Sequence, residues 1–197
     1  AALGGWQNRD IAGWFGDFTQ VIADRLGDRL WSAAPINEPW CVGWLSHFLG
    51  HHAPGLRDIR ATAHAMHHVL LAHGTATQVM RSNGMTNLGA VCNFEAALPA
   101  DNSPETLAAT RLYDAYYNRF FVEGLFKGTY PAEVMEGFAP HMPKGWQDDF
   151  ATIQTPLDWF GLNYYTCKRI APCGGAWPAH HEVEGPLPKT AMGWEIY

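Results

Sequence analysis

Three short apolar runs, residues 30–36, 88–94 and 157–164, alternate with segments of helical period, and this alternation limits the fold more than any other feature of the chain. The second and third runs are largely apolar, so they are expected to be strands buried on both faces of a sheet. Pro35 fits the first run only near its end, where a lost ladder hydrogen bond is tolerable. A helix is expected over residues 14–26, with an apolar face of Phe15, Phe18, Val21, Ile22 and Leu26 and an end at Gly27. A second is expected over 62–81, where Met66, Val69, Leu70, His73, Thr77 and Met80 keep spacings of three and four. A third opens at Ser103 and Pro104, runs to about Lys127, buries Leu107, Leu112, Tyr116, Phe120 and Leu125, and stops at Gly128 and Pro131. A short helix is expected at 148–154, and residues 40–54 and 167–188 read as loops. Strands separated by helices predict an α/β fold, a parallel sheet with helices outside and right-handed crossovers. A full (β/α)8 barrel takes about 250 residues. The 197 residues here therefore predict an arc of such a barrel.

Each run ends in polar residues: Asn37-Glu38, Asn93, and Asn163-Tyr164-Tyr165. In a (β/α)8 barrel such ends share one rim, where the active site lies. Asn37-Glu38-Pro39-Trp40 places a carboxyl that can protonate a leaving oxygen beside an amide for a sugar hydroxyl and an indole face for a pyranose ring. The four letters alone also read as a polar strand end followed by a proline turn. Nine Trp favour the sugar-binding reading, because carbohydrate sites use indole faces.

The net charge of −6, without a Lys/Arg cluster, argues against a nucleic-acid surface. No run of about 18 apolar residues predicts a membrane span, and no signal peptide is visible. Cysteines 41, 92, 167 and 173 form no CxxC pair, so buried unpaired thiols and a cytoplasmic location are expected. The chain starts without Met and ends on Trp194-Glu195-Ile196-Tyr197, which predicts a piece of a longer one. A rival reading is a His-rich metal-binding module: His47, His51, His52, His64, His67, His68 and His73 crowd together, and His64 and His68 are four apart. There is no HExxH, nearby Cys or third carboxylate ligand, so these residues are expected to pack or lie on the surface, and no metal is assigned.

Several motifs in register resemble glycoside hydrolase family 1, the β-glucosidases and their relatives: Asn37-Glu38-Pro39-Trp40-Cys41, His52-Ala53-Pro54-Gly55, Gly161-Leu162-Asn163-Tyr164-Tyr165-Thr166 and Pro188-Lys189-Thr190-Ala191-Met192-Gly193-Trp194-Glu195. Gly4-Gly5-Trp6-Gln7-Asn8-Arg9 and Gly128-Thr129-Tyr130-Pro131 fit the same pattern. The resemblance implies that residues 1–197 are one incomplete (β/α)8 TIM-barrel domain, about strands four to six, without its amino- and carboxyl-terminal parts. It implies a retaining β-glycosidase, most simply a β-glucosidase, with Glu38 as general acid/base. The nucleophile would belong to an ITENG-type motif that this sequence lacks. Asn37 would hold the sugar 2-hydroxyl, Asn163 and Tyr165 would follow the sixth strand, with the tyrosine supporting the nucleophile, and Trp40, His52, Asn93 and Trp194 would lie on the leaving-group side. No cofactor is implied. The expected partners are β-glucosides or related oligosaccharides, and the missing parts of the barrel. The segment alone would be inactive and unstable, because its edge strands would be unpaired. The sequence departs from the family at Ala33 and Pro35, where an aromatic residue and a Thr are usual. The remaining alternative is a non-catalytic carbohydrate-binding role.

Overall fold

The structure is a computed structural model and describes residues 2–197. Helix α1 (Ile11–Leu26) is followed by the site-bearing segment 30–47 and by the long helix α2 (Ile59–Ser82). Strand β1 (Gly89–Pro99) leads into α3 (Pro104–Asp114), a π-helical turn (Ala115–Arg119) and α4 (Phe120–Lys127). Two shorter helices, α5 (Ala132–Phe138) and α6 (Phe150–Ile153), precede β2 (Trp159–Pro172) and β3 (His180–Val183). The sheet order is β1-β2-β3, with β1 and β2 parallel as expected.

Helix starts follow local chemistry. Ser103 caps α3, with Pro104 in the first turn and the Ser103 hydroxyl accepting from Thr106 N–H. Asp58 caps α2 by accepting from Ala61 N–H at 2.7 Å, so α2 begins before the expected residue 62. Gly128, at φ 67°, ends α4 in the left-handed conformation that glycine adopts without Cβ strain.

The structure corrects several expectations. Residues 30–36 form no continuous strand; only isolated bridges join this segment to β1. Residues 39–47 are helical rather than loop. The stretch read as loop over 167–188 holds the second half of β2 and all of β3, which pairs antiparallel with it from Arg169–Val183 to Pro172–His180. Helix α5 gave no periodic signal because it has only seven residues. Leu107 is exposed, not buried. The apolar stripe of α1 divides: Phe15 packs against the core, while Phe18 is 57% and Val21 52% exposed, and the residues buried against α2 are Ala12, Gly16 and Thr19. Small residues let α1 lie close on α2; a Cβ on Gly16 would stand 3.1 Å from Thr75 Cγ2. Period reveals that a stripe exists but not which neighbour it meets.

All six residues that the spacing assigned to the core of α2 are buried, and burial extends around most of the helix. Aromatic rings fill the space beside it: Trp44 stacks on Tyr116 at 3.9 Å and Phe120 on Tyr130 at 4.0 Å between ring centres.

Three of the four histidines of α2 have hydrogen-bond partners. His67 donates through Nε2 to Asp149 (2.8 Å), and its Nδ1 accepts from the Tyr130 hydroxyl (2.7 Å). Arg9 grips the same carboxylate with both terminal nitrogens. His68 and His64 donate through Nδ1 to the carbonyls of Trp6 and Gln7. Among the described residues, no group of three or more His, Cys, Asp or Glu is arranged to hold a metal ion. No helix among them is long and apolar enough to cross a membrane.

Two predictions follow from this packing. Gly13 has open space around it, so Gly13→Ala is expected to stabilise by about 0.5–1 kcal/mol. A Cβ on Gly74 would lie 2.2 Å from the Thr152 carbonyl oxygen, so Gly74→Ala is expected to destabilise by about 1–3 kcal/mol; denaturant midpoints of the two variants check the pair. The second concerns pH. Burial lowers His68 and His73 from 6.5 to about 4. On acidification the unfolded chain takes up protons first, so this contribution is complete above pH 6.5 and is lost between 6.5 and about 4. His73 Nε2 has no hydrogen-bond partner, and His73→Met is expected to remove about half of that slope in unfolding free energy measured from pH 7 to 4.

Candidate active site

The segment before Glu38 joins β1 through parallel bridges Ala33–Leu88 and Asn37–Val91. Four steps on one side face three on the other, so the segment carries one extra residue around Pro35, whose nitrogen has no hydrogen for a ladder. The last ladder bond runs from Glu38 N–H to the Val91 carbonyl at 2.9 Å. There the backbone turns sharply: Glu38 has φ 51°, in the left-handed region. That conformation costs an ordinary L-residue about 1–2 kcal/mol. Pro39 is buried, and a π-helical turn over Cys41–Leu45 follows, begun by Cys41 N–H bonding to the Glu38 carbonyl at 2.9 Å.

Both carboxyl oxygens of Glu38 have donors. Asn163 Nδ2 donates to Oε1 at 2.8 Å and also approaches Asn37 Oδ1 at 3.2 Å. Cys41 Sγ donates to Oε2 at 3.4 Å. Burial, followed by the facing carboxylate, pushes the Cys41 thiol up to about 12, so it remains a protonated donor.

Asn93 is the register partner of Asn163 across the parallel β1–β2 ladder. Its Nδ2 donates to the Tyr117 hydroxyl at 2.9 Å, while its buried Oδ1 has no partner. Trp40 lies against Tyr117, ring centres 4.4 Å apart. Two residues beyond Asn93, Glu95 accepts from the Tyr113 hydroxyl at 2.5 Å; burial pushes its carboxyl up against the opposing pull of that bond. The β1–β2 register slips just past the site: Phe94 pairs with Tyr164 and Ala96 with Cys167, so β2 also carries an extra residue.

The expected residues thus fall into distinct places. Asn37, Glu38 and Asn163 are joined by hydrogen bonds, Asn93 adjoins them by register, and Trp40 connects to Asn93 through Tyr117. Tyr165 and Trp194 are exposed and stand against each other at 5.8 Å. His52 is exposed in a turn closed by Gly55 N–H to its carbonyl, and its side chain has no bond among the described residues. A cleft of about 380 Å³ runs between the end of β2, β3 and the carboxyl-terminal segment; Lys168, Glu182, Trp194 and Glu195 line it, and Glu38 does not.

Sequence reasoning missed Cys41, Tyr117 and Glu95. Cys41 is three residues beyond Glu38, a spacing that becomes informative only once residues 39–47 are known to be helical. Tyr117 and Glu95 gave no separate signal in a run of tyrosines and a strand end.

The strained backbone at Glu38 generates a prediction. Because glycine enters the left-handed region freely, Glu38→Gly is expected to be more stable than Glu38→Ala by about 1 kcal/mol in chemical denaturation. Equal stability would mean that the turn relaxes when the carboxylate is removed.

Comparison with known proteins gives the arrangement its context. The profile described as Glycosyl hydrolase family 1 matches residues 1–196. The beta-glucosidase of Agrobacterium sp. is 40% identical, the match covering 98% of this chain and 43% of that protein. Beta-glucosidase A of Thermotoga maritima is 38% identical, over 98% of this chain and 44% of that one. The solved structure of the T. maritima family 1 β-glucosidase superposes with a TM-score of 0.91 over 98% of this chain and 44% of that one, at 38% identity. The virulence factor SghA of Agrobacterium tumefaciens superposes with a TM-score of 0.93 at 40% identity, again over 98% and 44%. The chain therefore spans less than half the length of these relatives, and its parallel strands and helices form a central portion of their TIM barrel. Joined to the motifs and to the position of Glu38 on the strand rim, these matches establish that the chain belongs to glycosyl hydrolase family 1.

Proposed function

We propose that these residues supply the proton-transfer half of a retaining β-glycosidase acting on β-glucosides. The observation that carries this reading is the environment of Glu38: a carboxylate on a strained backbone turn just past the last bridge to β1, with one oxygen held by Asn163 and the other facing Cys41. In the first step Glu38 gives its proton to the glycosidic oxygen as that bond breaks, while a carboxylate from outside these residues bonds to the anomeric carbon. In the second, Glu38 takes a proton from water as the water oxygen attacks that carbon and releases the nucleophile. The two carboxyls would stand about 5–5.5 Å apart, as retention requires. Asn37 and the free carbonyl of Asn93 are suited to sugar hydroxyls, and Trp40, Tyr165 and Trp194 to ring faces. β-Glucoside as substrate follows the relatives, which are named beta-glucosidases, and SghA, whose structure is described as a complex with its substrate analog salicin.

The apolar faces left open on α1 and β2 support a domain completed by further parts of the barrel. Phe18 and Val21 are exposed on α1, and Phe160, Leu162 and Tyr164 on β2. In this reading the 197 residues alone do not turn over a glucoside, for want of the nucleophile.

Leaving-group dependence tests the assignment in the full-length protein. Glu38→Gln is expected to lose about 10²–10⁴-fold in kcat/KM for alkyl or cellobiosyl substrates, and far less for dinitrophenyl glucosides, whose leaving group needs no proton. An equal loss on both substrates would remove Glu38 from the acid role. Turnover by the purified 197-residue chain, abolished by Glu38→Gln, would overturn the claim that the nucleophile lies elsewhere.

A further inference from the structure

We propose that Cys41 is a positioning residue for Glu38, and that together with Asn163 it assigns the transferable proton to Oε2. This rests on the acid/base reading of Glu38 and extends it from the residue to a single atom. Asn163 Nδ2 faces two acceptors, Glu38 Oε1 at 2.8 Å and Asn37 Oδ1 at 3.2 Å, which fixes the direction of its amide. A donor aimed at Oε1 requires a lone pair there. Each oxygen keeps a second lone pair, but the amide N–H at 2.8 Å is a stronger donor than the thiol at 3.4 Å and holds more of the charge on Oε1, so the acid form of Glu38 carries its proton on Oε2.

Oε2 is the oxygen that Cys41 faces, at 3.4 Å from Sγ. The thiol comes to this place by backbone geometry rather than by loop mobility. Cys41 opens the π-helical turn, its own N–H bonds to the Glu38 carbonyl, and its side chain therefore returns over the residue three before it. The S–H occupies one lone pair of Oε2 and leaves the other direction for the proton that travels. In the first step that proton passes from Oε2 to the glycosidic oxygen, which keeps the electron pair of the breaking bond. The carboxylate left behind has a neutral donor on each oxygen. In the second step Oε2 takes a proton from the attacking water, and the cycle closes with no oxidant or other reactant. The thiol is half-buried and held protonated by burial and by the carboxylate, so it serves as a donor and not as a second nucleophile.

A donor to the ionised form favours that form. Removing it raises the pH at which Glu38 loses its proton, and the alkaline limb of kcat/KM reports that loss. In the full-length protein, with a substrate whose leaving group needs protonation, Cys41→Ala and the volume-conserving Cys41→Val are expected to move the alkaline limb up by about half a pH unit. Cys41→Ser is expected to bring it back to within about 0.2 unit, because the hydroxyl restores the donor. The acidic limb, set by the nucleophile, stays in place. Limbs that coincide in wild type, Ala and Val variants overturn the proposal.

A second measurement does not depend on the Ala and Val variants folding. At a pH above the alkaline limb, where Glu38 is ionised, the S–H stretching band of Cys41, isolated as the difference between wild type and Cys41→Ser, is expected at lower frequency than in Glu38→Gln, which replaces the charged acceptor with a neutral one. An unmoved band overturns the hydrogen bond itself. The underlying reading fails separately, through a Glu38→Gln enzyme with no leaving-group dependence.

Discussion

Parallel pairing between β1 and β2 is the constraint on which the site depends. Parallel strands cannot be joined by a tight turn, so each must be reached through a crossover of a dozen or more residues, and every strand points its carboxyl end the same way. That is why Asn93 and Asn163, seventy positions apart, are direct partners in one ladder. The segment ending in Asn37 runs parallel to β1 on its other side, and Asn163 reaches both Glu38 and Asn37. Extra residues on both flanks, around Pro35 and at Tyr165-Thr166, break the regular alternation where side chains must be aimed into the site.

Beneath the rim, α2 supplies the support that holds Glu38 in a left-handed conformation. Val69, Leu70 and His73 line a small apolar cavity with Ile36, Pro39, Ala90 and Cys92, so the residue after Glu38 is buried against α2. Strain of this kind persists where the surroundings over-determine it. The same helix carries an unusual polar content. His67, Asp149, Arg9 and Tyr130 form a chain of partners that ties the amino-terminal turn and residues 130–149 to α2. Burial keeps His67 neutral despite its carboxylate neighbour, while His67 and Arg9 hold the Asp149 carboxyl below its usual range in spite of burial. The pair is therefore a neutral imidazole on an ionised carboxylate, with Arg9 supplying the balancing charge.

How far the sequence can be read depends on where the deciding information lies. Helix α2 is legible because its spacing of three and four persists from Met66 to Met80, and Ser103-Pro104 gives a local start signal for α3. Glu38 and Asn163 were legible through short motifs. What escaped depended on neighbours. The stripe on α1 exists but meets the core only at Phe15, since Ala12, Gly16 and Thr19 make the close contact with α2 and no periodicity can state which face is met. β3 is four residues inside a stretch rich in Gly, Pro and His, and its identity comes from hydrogen bonds to β2. Tyr117 became relevant only when β1 brought Asn93 beneath it, and Cys41 only when the residues after Glu38 proved helical.

The division of labour within the site follows from these distances along the chain. Asn37, Glu38, Cys41, Asn93 and Asn163 are all fixed by bonds among residues present here. The orientation of the Glu38 carboxyl is therefore encoded locally, by one ladder, one turn and one amide. The opposite condition holds for β2, where Phe160, Leu162 and Tyr164 lie exposed at alternate positions from Gly161 and Asn163. Side chains on one strand alternate between faces, so the face that delivers Asn163 to Glu38 is furnished while the other is only partly covered, Phe160 meeting Phe94 and Phe126. A parallel strand is stable when both faces are buried. The geometry around the Glu38 carboxyl is thus specified within these residues, whereas its rigidity depends on how the far side of β2 is covered, because motion of that strand moves Asn163 and with it the oxygen of Glu38 that Asn163 holds.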